Sequence, residues 1–326
     1  MEVCFVTGAA GFIGSHLCER LTASGYRVVG VDSFSDYYPR SFKEANLALL
    51  SDDRNFDLIE ADLLHLDLEA LLAGMSPAYV FHLAAQPGVR ASWGKTFETY
   101  LQNNILASQR LLEALKDRRL KKFVYASSSS VYGDAERFPT GEELRPQPVS
   151  PYGVTKLAGE HLCMLYGRNY GLPVVALRYF TVYGPRQRPD MAFFKFIRAM
   201  LTDRPLTVFG DGEQTRDFTY VADAVEGTVQ AALSPVTGEV FNIGGGSRVA
   251  VYGVVRRLEE ITGCRAQIRY APAGRGDARH TSADITKAAR VLQYRPARSL
   301  PVGLEAEVRW LRQLLAASPE LILDNG

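Results

Sequence analysis

The pattern of apolar and polar positions alternates between two periods along the first half of the chain. Short apolar runs of strand length alternate with longer segments in which apolar residues recur at helical spacing. Strands are predicted over residues 2–8, 27–32, 56–62, 78–85, 121–128 and 174–180, and helices over 14–25, 103–117 and 152–170. Because strands alternate with helices, the pattern predicts an α/β fold with a doubly wound parallel sheet covered by helices on both faces.

The composition changes near residue 181, where Pro, Gly and Arg become frequent and the predicted elements become shorter. We therefore predict a larger core over residues 1–180 and a smaller α/β region over residues 181–326. The segment 238–245, GEVFNIGG, returns to strand character and is a candidate to rejoin the core sheet. The cleft between the two regions is the expected ligand site.

Charge and cysteine usage narrow the functional class. The 326 residues carry a formal net charge of +1, and no apolar run approaches the length of a membrane span, so we expect neither a nucleic-acid partner nor a membrane. The four cysteines are far apart and the five histidines lack metal-ligand spacing. This predicts reduced thiols, a cytoplasmic location and no metal site. The first residues also lack the pattern of a signal peptide.

A glycine-rich turn follows the first predicted strand. VTGAAGFIG places Gly8, Gly11 and Gly14 before a helix, where glycines permit a tight turn and the helix N-terminus favours a pyrophosphate. Asp32 ends the next strand, where a carboxylate accepts hydrogen bonds from a ribose diol and repels a 2′-phosphate. Together these features predict an NAD site and favour NAD over NADP. A plain strand–turn–helix and a solvated acid are the alternatives.

Residues at other strand ends complete the predicted cofactor site. Asp62 is placed to bond an adenine amino group, and the small residues of HLAAQ follow the next strand. His82, the first residue of that motif, is interpreted as a core histidine. The remaining predicted cofactor contacts are Phe12, Ile13, Leu63, Leu83, Ala84, Ala85, Gln86, Tyr152, Lys156 and Tyr179.

Tyr152 and Lys156 lie four residues apart in SPYGVTK, so a helix brings both side chains to one face. A free tyrosine is a poor base at neutral pH, but a neighbouring ammonium and a cationic nicotinamide ring favour the phenolate. Such a phenolate can take a proton from a sugar hydroxyl while hydride leaves the same carbon for NAD. Ser128, in the serine run YASSSSVYG, is predicted to orient that hydroxyl. Taken alone, a Tyr–Lys pair at this spacing is more often a chance surface pair.

Motifs along the chain, in their order, resemble those of the extended short-chain dehydrogenases/reductases that act on nucleotide sugars. They are TGAAGFIG, HLAAQ, SSSSVYG, PYGVTK, LRYFTVYGPRQRPD, GDGEQTRDFTYVAD and FNIGGG. The resemblance implies a Rossmann-type NAD-binding core over residues 1–180 and a smaller nucleotide-sugar-binding region. It also implies that Ser128, Tyr152 and Lys156 form a Ser–Tyr–Lys catalytic set. A UDP-sugar is the implied substrate and a homodimer the implied assembly.

Local differences within the resembled family indicate the reaction. Its 4,6-dehydratases carry an Asp-Glu pair where this chain has Ser129 and Ser130, and its uronate decarboxylases carry Glu at the position of Ser130. The resemblance therefore favours 4-epimerisation, which needs only hydride removal, rotation of the 4-keto sugar and hydride return. Dehydration and decarboxylation remain alternatives. A non-catalytic NAD-binding regulator is disfavoured, because such proteins typically lose the Tyr or the Lys.

The segments 31–47 and 180–196 resemble those of UDP-glucuronate 4-epimerases, whereas UDP-glucose 4-epimerases carry Asn at the position of Thr181. We therefore expect conversion of UDP-glucuronate to UDP-galacturonate, with UDP-glucose or another nucleotide sugar as the alternative substrate. Arg186 is predicted to pair with the uronate carboxylate, and it suits a phosphate equally well. The predicted substrate contacts are Ser127, Ser129, Thr181 and Arg186 at the sugar, and Arg216 and Arg275 at the diphosphate and ribose.

Overall fold

The structure is a computed structural model that describes residues 1–323. The strands, in chain order, are β1 Val3–Thr7, β2 Arg27–Asp32, β3 Phe56–Glu60, β4 Tyr79–His82, β5 Lys122–Ser128, β6 Val174–Tyr179, β7 Val182–Tyr183, β8 Leu206–Phe209, β9 Thr215–Asp217, β10 Thr219–Tyr220, β11 Glu239–Ile243, β12 Arg248–Ala250 and β13 Ile268–Ala271. The helices are α1 Phe12–Thr22, α2 Arg40–Asn46, α3 Leu68–Met75, α4 Phe97–Tyr100, α5 Ala107–Leu115, α6 Pro151–Tyr170, α7 Ala192–Leu201, α8 Val221–Leu233, α9 Val251–Thr262, α10 Thr286–Val291, α11 Leu300–Ala317 and α12 Pro319–Leu323. A π-helical segment, Leu101–Leu106, joins α4 to α5.

A parallel sheet forms the centre of the fold. Within residues 1–323 it contains seven strands in the order β11-β6-β5-β4-β1-β2-β3. This confirms the predicted α/β class with a Rossmann-type sheet. The edge strand β11 comes from the second half of the chain and pairs with β6. The second half therefore contributes to the core sheet, and a division of the chain at residue 180 stays a prediction.

Both faces of the central sheet are covered by helices. Side chains alternate between faces along a strand, so Cys4 and Val6 of β1 pack into one apolar cluster and Phe5 packs into another. The first cluster includes residues of α1 and α8, and the second includes residues of α3, α5 and α6. The inner strands β1, β4, β5 and β6 are buried on both sides, so they appear in the sequence as continuous apolar runs. The edge strand β3 is partly exposed along its length.

The second half of the chain has an apolar cluster of its own. It is formed mainly by α7, α9 and α11, and its fully buried residues include Phe194, Ile197, Val254 and Leu311. Within the described residues, three two-stranded sheets, β7–β10, β8–β13 and β9–β12, join parts of this half. Among the helices of residues 1–323, none combines the length and apolar character needed to cross a bilayer.

The order of the strands creates a crevice. β1 lies between β2 and β4, so the chain runs outward from β1 to one side of the sheet and later returns to extend the other. In open α/β sheets, ligands bind at the carboxyl ends of the strands where this reversal occurs. The crevice here lies at the ends of β1 and β4, which are followed by the glycine turn and by HLAAQ.

Candidate active site

A cavity of about 450 Å³ lies at the carboxyl ends of the central strands. It brings together most of the sequence-predicted site residues: Gly8, Gly11, Phe12, Ile13, Gly14, Asp32, Asp62, Leu63, Leu83, Ala84, Ala85, Gln86, Ser127, Ser128, Ser129, Tyr152, Lys156, Tyr179 and Thr181. Three predicted residues, Arg186, Arg216 and Arg275, are not among the residues found to line it.

The glycine turn forms one end of the cavity. Gly8 adopts a φ of +75°, and the amide of Gly11 donates to the carbonyl of Gly8 at 3.1 Å. A Cβ at Gly14 would lie 2.0 Å from that same carbonyl oxygen, so only glycine lets α1 approach the turn this closely. The turn leads directly into α1, whose N-terminal amides and positive dipole end suit a pyrophosphate. This cradle, which a side chain would fill, fits the diphosphate of a dinucleotide.

Asp32 is held in place by its surroundings at the end of β2. Its carboxylate accepts hydrogen bonds from the amides of Ala10 and Phe34 at 3.1 and 2.9 Å, and from the buried Lys43 at 3.3 Å. An ionised carboxylate offers about four acceptor sites, so capacity remains for a ribose hydroxyl. Sequence reasoning missed Lys43, although its position three residues before the buried Asn46 puts both on the inner face of α2.

The local sequence SPYG places Tyr152 at the start of α6. Ser150 caps the helix by accepting from the amide of Gly153 at 3.1 Å, and Pro151 occupies the first helical position. A Cβ at Gly153 would lie 2.5 Å from the carbonyl oxygen of Ser130. The first turn of α6 therefore packs directly against the short helical turn after β5, and this contact brings Tyr152 to Ser128.

The surroundings of Tyr152 and Lys156 set their proton affinities. Burial raises the pKa of Tyr152, while a hydrogen bond with Ser128 and the positive charge of Arg188 oppose that rise. Burial lowers the pKa of Lys156 to about 8, and its Nζ donates to the carbonyl of Ala126 at 2.8 Å. The positive charge of Arg188 therefore favours the phenolate. Lys156 is anchored on β5 through Ala126, and its part in favouring the phenolate stays a prediction.

Ser127 lines the cavity, but its hydroxyl has another partner. It donates to Oε2 of Glu160 at 2.8 Å, and the same oxygen accepts from Nε of Arg178 at 3.0 Å. All three side chains are buried. The hydroxyl proton of Ser127 is therefore committed to Glu160, where it ties β5 to α6. This corrects the predicted role of Ser127 as a hydrogen-bond donor to the sugar.

Two arginines in GPRQRPD have different environments. Arg186 has a φ of +67°, and its Nη2 lies 2.7 Å from Oε1 of Glu19 in α1, outside the cavity lining. Arg188 does line the cavity, and it binds Asp190 through Nε at 2.9 Å and Nη2 at 3.0 Å. The structure thus corrects the predicted position of Arg186 at the sugar. Sequence reasoning missed Arg188, although it belongs to the same motif.

Three further arginines, Arg90, Arg216 and Arg275, lie outside the cavity lining, and we call them the second basic cluster, after the pair in GPRQRPD. Arg216 donates to the carbonyls of Thr215 and Arg279, and Arg275 is exposed on the loop after β13. Sequence reasoning missed Arg90, which follows HLAAQ, lies 2.6 Å from Asp277 and stacks over the ring of Phe209 at 3.8 Å. Burial lowers the pKa of Arg216, with Arg90 adding to the effect and Asp277 opposing it, so these charges are close together.

Comparison with known proteins agrees with this geometry. The model of the NAD dependent epimerase/dehydratase family matches residues 4–244, a span that holds the glycine turn, Ser128, Tyr152, Lys156 and Arg188. The chain belongs to this family. Its cofactor is therefore NAD, and the glycine turn and Asp32 provide the fit for the pyrophosphate and ribose described above.

Individual members of the epimerase/dehydratase family match over nearly the whole chain. The crystal structure of the UDP-glucuronic acid 4-epimerase from Bacillus cereus, in complex with UDP-glucuronic acid and NAD, shares 50% identity and a TM-score of 0.93, covering 96% of this chain and 99% of that one. A UDP-glucuronate 4-epimerase of Thermodesulfobacterium geofontis is 39% identical over 96% of this chain and 97% of its own length. An uncharacterized UDP-glucose epimerase of Bacillus subtilis, YtcB, is 49% identical over 95% and 98%. The names of these relatives therefore give two different substrates, UDP-glucuronate and UDP-glucose.

Proposed function

We propose that this protein is a UDP-glucuronate 4-epimerase that interconverts UDP-glucuronate and UDP-galacturonate. The observation that carries the proposal is Arg188 in the wall of the cavity that holds Ser128, Tyr152 and Lys156. A uronate differs from a neutral hexose by the carboxylate on C5, which lies next to the reacting C4. A guanidinium is the side chain that pairs best with a carboxylate, through two parallel hydrogen bonds.

The chemistry at C4 needs a proton acceptor and an orienting group. The glycine turn and Asp32 would hold NAD, which would supply the hydride acceptor and donor that inversion at C4 needs. Tyr152 takes the proton of the C4 hydroxyl and gives it back when the hydroxyl re-forms. Ser128 hydrogen-bonds to Tyr152 and orients the same sugar oxygen. Lys156 anchors the face of α6 that carries Tyr152 through its bond to Ala126.

The distribution of acids supports epimerisation over dehydration. Among the described residues that line the cavity, the acids are Asp32, the last residue of β2, and Asp62, which follows β3, both at the adenosine end. The positions after Ser128 carry Ser129 and Ser130, which also line the cavity. Expulsion of a C6 hydroxyl needs an acid and a base beside the sugar, and these side chains supply neither.

The carboxylate also presents a chemical hazard. Once C4 is oxidised, the sugar is a β-keto acid, which loses CO2 readily when the breaking C–C bond aligns with the carbonyl π system. A dry pocket hastens this loss because charge disperses as CO2 leaves. Charge-assisted hydrogen bonds from Arg188, with Ser129 and Thr181 as further donors, hold the carboxylate out of that alignment.

The nucleotide end of the substrate is assigned to the second basic cluster. Arg90 and Arg216 supply positive charge for the diphosphate, and Phe209 in β8 offers an aromatic face beside them. The bond between Arg90 and Asp277 joins the loop after β4 to the loop after β13. Arg275 stays a predicted ribose contact from this same loop.

The assembly and location complete the proposal. Apolar side chains stay exposed on the two neighbouring helical segments 97–115 and α6, namely Leu101, Leu106, Val154 and Leu165. Such a surface supports a homodimer in which these helices pack against those of a second copy. The four cysteines are free thiols, which supports the cytoplasm as the location.

Incubation of the purified protein with single substrates tests the reaction. UDP-glucuronate, UDP-glucose and UDP-galactose are supplied separately, and NMR follows the configuration at C4 of each sugar. The proposal expects UDP-galacturonate from UDP-glucuronate without added NADH or net NADH release. Turnover of the neutral sugars with none of the uronate would instead establish a UDP-glucose 4-epimerase, the function named for the relative from Bacillus subtilis.

A further inference from the structure

Arg188 is held from one side by Asp190. The two residues lie between β7 and α7, and the carboxylate of Asp190 accepts from Nε and Nη2 of Arg188 at 2.9 and 3.0 Å. An arginine has five N–H donors, and this side-on pairing uses two of them. Among the described residues, the end-on edge formed by Nη1 and the second hydrogen of Nη2 stays available to a ligand. That edge has the two parallel donors that suit a second carboxylate.

Asp190 also accepts a hydrogen bond from a distant part of the chain. The hydroxyl of Tyr37 lies 3.3 Å from Oδ2 of Asp190. Tyr37 belongs to the loop between β2 and α2, which directly follows Asp32, so this loop extends from the adenosine end of the cavity. The hydroxyl also packs against the loop after β4, because a Cβ at Gly88 would lie 2.7 Å from it. Three segments around the cavity thus meet at the oxygen of one tyrosine.

The pairing of Asp190 with Arg188 is ionic. Burial alone would oppose ionisation of Asp190, yet the charge of Arg188 and its hydrogen bonds hold the pKa of this carboxyl below its ordinary value. The side chains of Arg188 and Asp190 are 20% and 31% exposed, so solvent screens the pair only partly. A long arginine side chain without such a partner would sample several rotamers and lose more entropy on binding.

We propose that Asp190, supported by Tyr37, is a positioning residue that fixes the guanidinium of Arg188 with its end-on edge toward the sugar carboxylate. The pair thereby sets the preference for a uronate over a neutral hexose. This inference rests on the proposed function. It also gives a role to the segment SFSDYYPR after β2, which the cofactor site uses only in part.

Binding measurements separate this role from general stability. The Tyr152→Phe variant, loaded with NAD, is expected to convert its substrates too slowly to disturb a titration. Calorimetry with this variant therefore yields dissociation constants for UDP-glucuronate and UDP-glucose. Asp190→Asn in this background keeps the shape but places an amide N–H₂ against one N–H of Arg188. The affinity for UDP-glucuronate is expected to fall about tenfold, the effect of weakening one charged hydrogen bond, with UDP-glucose changed less than about twofold.

Two further variants complete the experiment. Tyr37→Phe removes one hydroxyl and is expected to reduce the uronate preference in the same direction by a smaller factor. Asp36→Asn changes an exposed acid in the same loop and is expected to leave the preference unaltered. Thermal unfolding of each variant shows whether the fold is retained.

The outcomes distinguish this inference from the proposed function. If the Tyr152→Phe background itself shows no preference for the uronate, the proposed function fails and the role of Asp190 fails with it. If that background prefers the uronate and Asp190→Asn keeps or raises the preference, only the role of Asp190 is overturned. Should Asp190→Asn fail to fold, Tyr37→Phe decides, because a preference unchanged by it overturns the inference.

Discussion

The two ends of the cavity differ in where the structure places their sequence-predicted residues. At the cofactor end, the residues predicted to contact NAD all line the cavity. At the sugar and nucleotide end, Arg186 pairs with Glu19, Ser127 bonds to Glu160, and Arg216 and Arg275 lie outside the lining. The cofactor end is built by backbone, since parallel strands end together and a glycine turn has one workable path. The sugar end is built by side chains on loops, and their directions depend on the whole fold.

Arg186 and Arg188 show this difference most clearly. They are two residues apart in one loop, and both are arginines in the motif that resembles uronate epimerases. The left-handed backbone at Arg186 accompanies a side chain that pairs with α1, while Arg188 reaches the cavity. A motif can therefore identify a loop at the proposed substrate site without identifying which of its residues faces the cavity.

The largest expected effect is at the catalytic tyrosine, where the two ends of the cavity meet. Tyr152→Phe removes the group that takes the C4 proton, so turnover of UDP-glucuronate should fall by about 10²–10⁴-fold, the usual contribution of a general base. NAD should remain bound, because the glycine turn is untouched. Tyr170→Phe, at the exposed end of the same helix, is the matched control. A Tyr152→Phe protein with the wild-type rate would refute the mechanism.

The next effect tests the sugar end directly. Arg188→Met should lower kcat/KM for UDP-glucuronate by about 10- to 100-fold through the loss of charged hydrogen bonds, and UDP-pentose should appear from decarboxylation. Arg186→Met should leave kcat/KM nearly unchanged and lower stability instead, because its ion pair with Glu19 joins the loop to α1. Steady-state kinetics with product NMR distinguish the two. Equal losses of kcat/KM would mean that the cavity geometry does not determine which arginine recognises the carboxylate.

The smallest expected effect tests the cofactor end. Gly14→Ala would place a Cβ 2.0 Å from the carbonyl oxygen of Gly8, so the turn must shift, at a cost of about 1–3 kcal/mol of stability. The purified variant should also retain less NAD. Gly74→Ala, in α3 with no atom within 4 Å of the new Cβ, is the control and should be neutral or slightly stabilising. NAD content equal in both variants would show that the turn does not hold the diphosphate.

Much of the fold was predictable because burial on both faces leaves a clear record in the sequence. The strands of the central sheet lie within the predicted apolar runs, and the α/β class is confirmed. The helix predicted over residues 103–117 begins instead in a π-helical segment, where the buried Asn104 bonds to the backbone of Gln86 and to Thr155. That irregularity depends on partners far away in sequence, which helical periodicity does not reveal.

The site residues that the sequence did not reveal share one property. Lys43, Arg90 and Asp190 are charged side chains with partners on other segments of the chain, and Arg188 shares Asp190 with Tyr37 of the loop after β2. In a sequence, such residues look like ordinary solvated charges. Only the assembled fold shows that Lys43 is buried beside Asp32 and that Arg188 lines the cavity.

A competition experiment tests the central claim most directly. Wild-type protein receives UDP-glucuronate and UDP-glucose together at equal concentration, and NMR follows inversion at C4 of both sugars in one tube. The ratio of initial rates gives the ratio of kcat/KM values. A site built to bind a carboxylate should favour the uronate by at least about a hundredfold. Equal consumption of the two sugars, or faster consumption of UDP-glucose, would contradict the assignment of Arg188 and of the uronate as substrate.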